Sequence, residues 1–206
     1  MTILRITCSP RGSASASHRL SQHIVDRLLR SRGGHGLPVV EIDANQLPHV
    51  DPAYAAALSS PIDPPADVCA HGSLRRSDEL IQALREATYV VIATPMHNYT
   101  VPSSLKTWID HVVRVRHTFH ITPQGKVGTL ADRPVFVAIA SGGEFSGEPA
   151  RQPDFLTPYL TAVLATIGLK DVRFFPAEGT ARSPELAAAA HARAEARIAQ
   201  EMARAA

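Results

Sequence analysis

Thr2-Ile-Leu-Arg-Ile-Thr-Cys-Ser-Pro-Arg-Gly-Ser-Ala-Ser-Ala-Ser17 is the stretch on which the reading of this chain turns. Thr2–Cys8 is a β-branched run and predicts a strand that starts the fold at once. Ser9–His18 follows as a bend of small residues. Beyond it, Leu20, Ile24 and Leu28, with Val25 and Leu29 beside them, recur at helical spacing over Ser15–Arg32 until Gly33-Gly34 stops the pattern. Strand, tight bend and helix in that order are the opening half of a βαβ unit.

Working outward, the same alternation continues. Pro38–Asp43 predicts a second strand. Tyr89–Thr94, apolar throughout and therefore read as buried on both faces, predicts a third, Pro134–Ala140 a fourth and Val172–Phe175 a fifth. Helical patterns cover Leu74–Ala87, Ser103–Val113, Phe155–Ile167 (ended by Gly168) and Pro184–Ala205. Ala44–Ser73 carries five prolines and reads as a long excursion with one short helix near Ala53–Leu58. Val115–Arg133 reads as a loop or small hairpin. Strands that alternate with helices imply a parallel sheet covered on both faces. The expectation is an α/β fold, a three-layer flavodoxin-like sandwich with a five-stranded parallel sheet in the order 2-1-3-4-5. Residues 1–206 are expected to form a single domain.

Composition narrows the function. Hydrophobic residues make up 45% and charged residues 19%, and the net charge is +2. That is globular composition without the strongly basic face of a nucleic-acid binder. The longest apolar runs are strand-sized, far short of the roughly 20 residues of a membrane helix. Cys8 and Cys69 are the two cysteines, too few for a disulfide scaffold and without a CxxC pair. With no leader-like N-terminus, the expected compartment is the cytoplasm. His117 and His120, near Asp110 and His111, lack the partners of a metal motif, so no metal is expected.

In an open α/β sheet, ligands bind beyond the carboxyl ends of the strands. Three loops lie there. Ser9–His18 has four serines in nine residues, Ser9 to Ser17. Hydroxyls and free helix N–H groups would converge there under the helix dipole, which suits a phosphate. A plain serine N-cap accounts for one of those serines without a ligand. No GxxxxGK[ST] or GxGxxG occurs, which argues against a nucleoside triphosphate and a Rossmann dinucleotide site. Thr94–Pro102 is stiffened by two prolines and offers fixed backbone groups, with Asn98 and Tyr99, to the polar edge of a planar heterocycle; an ordinary βα turn is the alternative. Ser141-Gly-Gly-Glu144 follows the fourth strand, and its glycines permit close approach of backbone to a ligand, or simply a turn.

Ser9–Ser17, Pro95-Met-His-Asn-Tyr99 and Ser104-Leu-Lys-Thr-Trp-Ile-Asp110 together resemble the FMN-dependent NADH-azoreductase and NAD(P)H:quinone reductase family. The resemblance continues through Thr118-Phe119, Ser141-Gly-Gly, Thr157-Pro-Tyr-Leu and Ile167-Gly-Leu-Lys-Asp-Val172 to Ala177-Glu-Gly-Thr. It implies FMN as cofactor, NADH or NADPH as donor, ping-pong two-electron reduction of quinones and azo compounds, and a homodimer. Residue by residue it implies that Ser9, Ser15, Ala16 and Ser17 hold the phosphate. Pro95, Met96, His97, Asn98 and Tyr99 line the ring, with backbone groups of Met96–Tyr99 at N5 and O4. Ser141, Gly142, Gly143 and Glu144 meet its pyrimidine side, with N–H groups of Ser141–Gly143 facing N1. His97, Ile121 and Ser141-Gly-Gly-Glu144 depart from patterns of the family, which bears on the acceptor and the flavin potential rather than on FMN binding. No catalytic side chain is implied beyond His97, either a proton donor to the acceptor, since an ordinary imidazole pKa is about 6.5, or a wall. A flavodoxin-like electron carrier that does not oxidise NAD(P)H directly is the competing function. The helix face Trp108, Ile109 and Val112 packs either on a second subunit or into the chain's own core. The 44–73 excursion is a candidate wall for a small-molecule pocket.

Overall fold

Residue parity along the central strands sets the layers. The computed structural model describes residues 1–31 and 33–204. In it β1 (Thr2–Thr7), β2 (Val39–Asp43), β3 (Ala87–Pro95), β6 (Val135–Ala140) and β7 (Val172–Ala177) form a parallel sheet in the order β2-β1-β3-β6-β7. β4 (Phe119–Thr122) and β5 (Gly125–Gly128) form a separate antiparallel hairpin within the segment read as loop or hairpin. The strand order therefore differs from the expected 2-1-3-4-5 in its numbering: the hairpin lies between β3 and the last two sheet strands in sequence, and they become sixth and seventh. The helical readings that reached Arg32 and Ala205 end at residues outside those described.

Odd and even positions of each strand face opposite layers. Ile3, Val91, Phe136, Ala138 and Phe175 pack on Leu20, Ile24 and Leu28 of α1 (Ala16–Arg30) and on Ala190, Ala194 and Ile198 of α7 (Pro184–Arg204). Leu4, Ile6, Val90, Ile92, Val135, Val137 and Ile139 pack on α4 (Gly72–Glu86), α5 (Ser103–Val112) and α6 (Thr157–Ile167). Trp108, Ile109 and Val112 of α5 belong to that second core, and Trp108 is wholly buried. That face is thus closed within the chain and is not a surface for a second subunit.

Arg5 interrupts the apolar parity of β1, and the surroundings answer it. Its guanidinium donates to Ser21 Oγ (3.0 Å), Gln22 Oε1 (2.7 Å), Glu41 Oε1 (3.0 Å) and the His18 carbonyl (2.9 Å). A buried cation left without such partners would be strongly destabilising. These bonds also fix the start of α1 against β1.

The excursion holds more structure than the single short helix expected. It contains a 3-10 turn (Ala44–Gln46), α2 (Pro52–Ser59) and a one-turn α3 (Ala66–Cys69). It docks on α4, α5 and the turn at Arg116 that precedes the hairpin. The buried Tyr54 donates from its hydroxyl to the carbonyl of Asp110 (2.8 Å), and Arg116 donates to the carbonyls of Ser60 (2.9 Å) and Ala57 (3.1 Å). Asp51 caps α2 by accepting from Tyr54 N–H (2.8 Å) and accepts from Ser73 N–H (2.8 Å), joining both ends of the excursion. Backbone hydrogen bonds from Ser73 and Tyr54 hold its carboxyl below the ordinary carboxylate range. A depressed folded pKa means that this stabilisation is present above the unfolded value and is lost as pH falls through the folded one. Asp51→Ala should lower unfolding stability by about 1 kcal/mol, read from denaturant midpoints at neutral pH. The gap from wild type should close on acidification.

Candidate functional site

The carboxyl ends of β1, β3 and β6 bring the three expected loops to one edge. Between them lies a cleft of about 250 Å³. Of the expected residues, Ser9, Ser15, Ala16, Ser17, Pro95, Met96, His97 and Gly142 line it, joined by Arg11 and Thr180. Asn98, Tyr99, Ser141, Gly143 and Glu144 stand outside that lining. Asn98 and Tyr99 form a turn at the rim, Ser141 is buried behind its loop, and Glu144 accepts from Arg182 Nη1 (3.1 Å). None of the lining residues comes from Ala44–Ser73, because Tyr54 and Arg116 hold the excursion elsewhere.

At the β1 end the bend is built from backbone. Cys8 N–H donates to the Ala93 carbonyl (3.0 Å), and Gly12 turns the chain at φ +53°. Ser15 is the N-cap of α1. Its Oγ accepts from His18 N–H (3.2 Å) and its carbonyl from Arg19 N–H (3.2 Å). The first N–H groups of a helix have no intrahelical acceptor. Those of Ala16 and Ser17 are left to donate into the cleft. No acidic residue lies in the first turn of α1, so no carboxylate competes for the positive end of the helix. Asn45, which sequence reasoning did not single out, donates from Nδ2 to the Ser9 carbonyl (3.1 Å) and to Asp43 Oδ1 (2.7 Å), bracing the bend from β2.

The loop after β3 is a two-residue turn. His97 and Thr100 exchange backbone hydrogen bonds (2.9 and 3.0 Å) around Asn98 and Tyr99, which stand at φ +49° and +70°. Two consecutive left-handed residues make the turn match strand twist but strain a tyrosine. Met96 N–H donates to the Ala140 carbonyl (2.9 Å). The N–H groups of Met96 and His97 are therefore occupied, and those of Asn98 and Tyr99 are open among the described residues. The loop after β6 behaves alike. Ser141 N–H, expected to face a ligand, donates instead to the Ala177 carbonyl (2.9 Å), because the β6–β7 ladder runs on to this point. Gly142 and Gly143 keep N–H groups that are open among the described residues, while their carbonyls accept from Ala181 (3.3 Å) and Gly179 (3.2 Å). Thr180 Oγ1 donates to the Ser141 carbonyl (3.0 Å). Its place at the site was foreshadowed only by Ala177-Glu-Gly-Thr180. Gln152, in contact with Met96 and Ser141, carried no signal in sequence.

The donor set suits a ligand with an anionic end and a flat polar ring. N–H groups and serine hydroxyls gather at one end of the cleft, open N–H groups on two rigid loops at the other. Tyr99→Gly should leave unfolding stability unchanged or raise it, whereas Tyr99→Val should lower it by about 1–2 kcal/mol. Denaturant titration of the two variants decides this.

Residues 1–202 match the Flavodoxin-like fold family. The chain is 47% identical to an FMN-dependent NADH:quinone oxidoreductase of Pseudomonas fluorescens, covering 86% of this chain and 84% of that one. It is 42% identical to another of that description from Burkholderia lata, over 87% and 85%. Among solved structures it is similar to an azoreductase from Bacillus anthracis strain Sterne (TM-score 0.82, 24% identity, 98% and 99% covered). It is also similar to an FMN-dependent NADH-azoreductase of the same species, Ames Ancestor strain, solved with FMN (TM-score 0.77, 24% identity, 98% and 100% covered).

Proposed function

The chain belongs to the Flavodoxin-like fold family, and from its similarity to FMN-dependent NADH:quinone oxidoreductases we propose that it is an FMN-dependent oxidoreductase that takes electrons from NAD(P)H and reduces quinones and azo compounds. The observation that carries the reading is the open pair of N–H groups at the start of α1 beside Ser9, Ser15 and Ser17, with no carboxylate in that turn. FMN, when bound, supplies the two-electron chemistry, and the protein orients and tunes it. The phosphate is held by Ala16 and Ser17 N–H groups and the three hydroxyls. Arg11 lies exposed at the lip and adds positive potential. The N–H groups of Asn98 and Tyr99, at the rim, would be available to one polar edge of the ring. Those of Gly142 and Gly143 favour negative charge on its pyrimidine side, as preorganised donors do at any developing anion. Pro95, Met96 and His97 form the wall between, and Glu144 steadies the last loop through Arg182. His97 is exposed at the mouth, where it lines the space an acceptor occupies.

Residues 1–206 act as one FMN-binding unit, and two copies form a homodimer. Ile62 and Ile121, each 72% exposed, and Val127 are apolar side chains that such an association would cover. Among the described residues no helix is long and apolar enough to cross a membrane.

Purified protein should be yellow, lose its flavin absorbance on titration with NADH, and recover it on addition of a quinone. A carrier would not be bleached directly by NADH. Ser17→Asp places a carboxylate against the phosphate and should weaken FMN binding on the order of tenfold or more; undiminished flavin occupancy would remove the phosphate from this bend. His97→Phe should leave the acceptor kinetics and their pH profile unchanged, and a slower reaction that has lost its fall toward alkaline pH would make His97 the proton donor.

A further inference from the structure

We propose that Gln152 is a positioning residue for the ring: its side-chain amide locks the loop after β3 to the loop after β6 and thereby sets the affinity and reduction potential of the flavin. The proposal rests on the flavin reading above. Gln152 lies between β6 and α6, partly buried. Its Nε2 stands 3.2 Å from Ser141 Oγ and 3.1 Å from Met96 Sδ. Ser141 Oγ is itself 3.8 Å from Met96 Sδ. Three side chains from three segments therefore close a triangle. A primary amide has two N–H groups, and here each has an acceptor on a different loop.

The other end of the amide is fitted as closely. A Cβ placed on Gly143 would come within 2.3 Å of Gln152 Oε1, so the glycine at 143 makes room for this amide. The segment that carries Gln152 is pinned on both sides. Arg151 N–H donates to the Glu144 carbonyl (2.8 Å), and Phe155 N–H donates to the Tyr99 carbonyl (3.0 Å). Asp154 Oδ1 accepts from the N–H groups of Leu156 and Thr157 (2.9 Å each) and fixes the turn into α6. One short segment thus reaches the last residue of one loop and the turn of the other, with Gln152 between them. Without the amide, Met96 is tied to the loop after β6 through its N–H to the Ala140 carbonyl and through the longer contact of its sulfur with Ser141 Oγ. An apolar side chain of equal length would fill the same volume, so the donor pair is the distinguishing feature.

The test titrates apoprotein with FMN, following flavin fluorescence, and measures the midpoint potential of the bound flavin. Gln152→Met keeps length and volume and removes both donors. It should raise the FMN Kd roughly three- to tenfold, the worth of one net hydrogen bond, and shift the potential. Gln152→Glu retains shape but brings negative charge beside Gly143, and should lower the potential below that of Gln152→Met. Ser141→Ala removes the acceptor without touching Gln152. Adding it to Gln152→Met should give less than the sum of the two single effects, because partners in one contact are not additive. Wild-type affinity and potential in Gln152→Met, or strict additivity of the pair, would overturn the lock. Should Gln152→Met fail to fold, Ser141→Ala and Gln152→Glu carry the same cycle. Wild-type apoprotein that takes up no FMN would instead overturn the flavin reading itself, and the proposal with it.

Discussion

Backbone N–H groups with no acceptor among the described residues are the constraint around which this molecule is arranged. A parallel sheet with helices on both faces gathers strand ends and helix starts at one edge, and helix geometry leaves the first donors of α1 without partners. Ser15 satisfies those of His18 and Arg19 and leaves those of Ala16 and Ser17. The turn at Asn98-Tyr99 and the pair Gly142-Gly143 add more. A buried donor without an acceptor costs about 1–3 kcal/mol, so such groups persist only at the mouth of a cleft, where water or a ligand accepts from them. The small residues of the bend follow from the same constraint, since bulk at Ser9–Ser17 would cover the donors.

What the sequence made legible was the part governed by local pattern. Tyr89–Thr94 and Pro134–Ala140 are continuous apolar runs, and a strand covered on both faces has to look like that. The serine-rich bend was legible as a donor cradle because cap chemistry is local. The errors at the ring loops share one cause. The fifth sheet strand was read as ending at Phe175, where the apolar run stops, but β7 continues through Pro176 to Ala177. Proline is tolerated in an edge strand, where its missing N–H faces away from the ladder. Those two extra residues bring the Ala177 carbonyl level with Ser141 and consume the N–H that had been assigned to the ligand. β3 likewise runs on through Pro95, so Met96 bonds to Ala140. The docking of the excursion was illegible for a different reason. Tyr54 reaches the Asp110 carbonyl across 56 positions of sequence, and no spacing rule encodes that contact.

Rigidity, rather than side-chain reactivity, is what the chain contributes at the cleft. Asn98 and Tyr99 are held in left-handed backbone conformations that a tyrosine leaves readily unless its neighbours forbid it. Here the neighbours do: the His97–Thr100 pair closes the turn, and the Tyr99 carbonyl is engaged by Phe155. Donors placed this way do not have to reorganise when charge appears opposite them, which is where preorganised sites gain most.

The same logic separates the cleft from the protein's own redox chemistry. Cys8 is the residue just before Ser9, and a thiolate there would be a nucleophile beside the site. It is fully buried, and burial together with the charge of Asp43 pushes the thiol well above its ordinary value. A thiol in that condition reacts as a small apolar side chain. Its carbonyl accepts from Ser104 Oγ (2.8 Å), which ties the exit of β1 to α5. Cys8 therefore serves the geometry of the bend while remaining unreactive, and no exposed thiolate stands beside the place where a cofactor would be held.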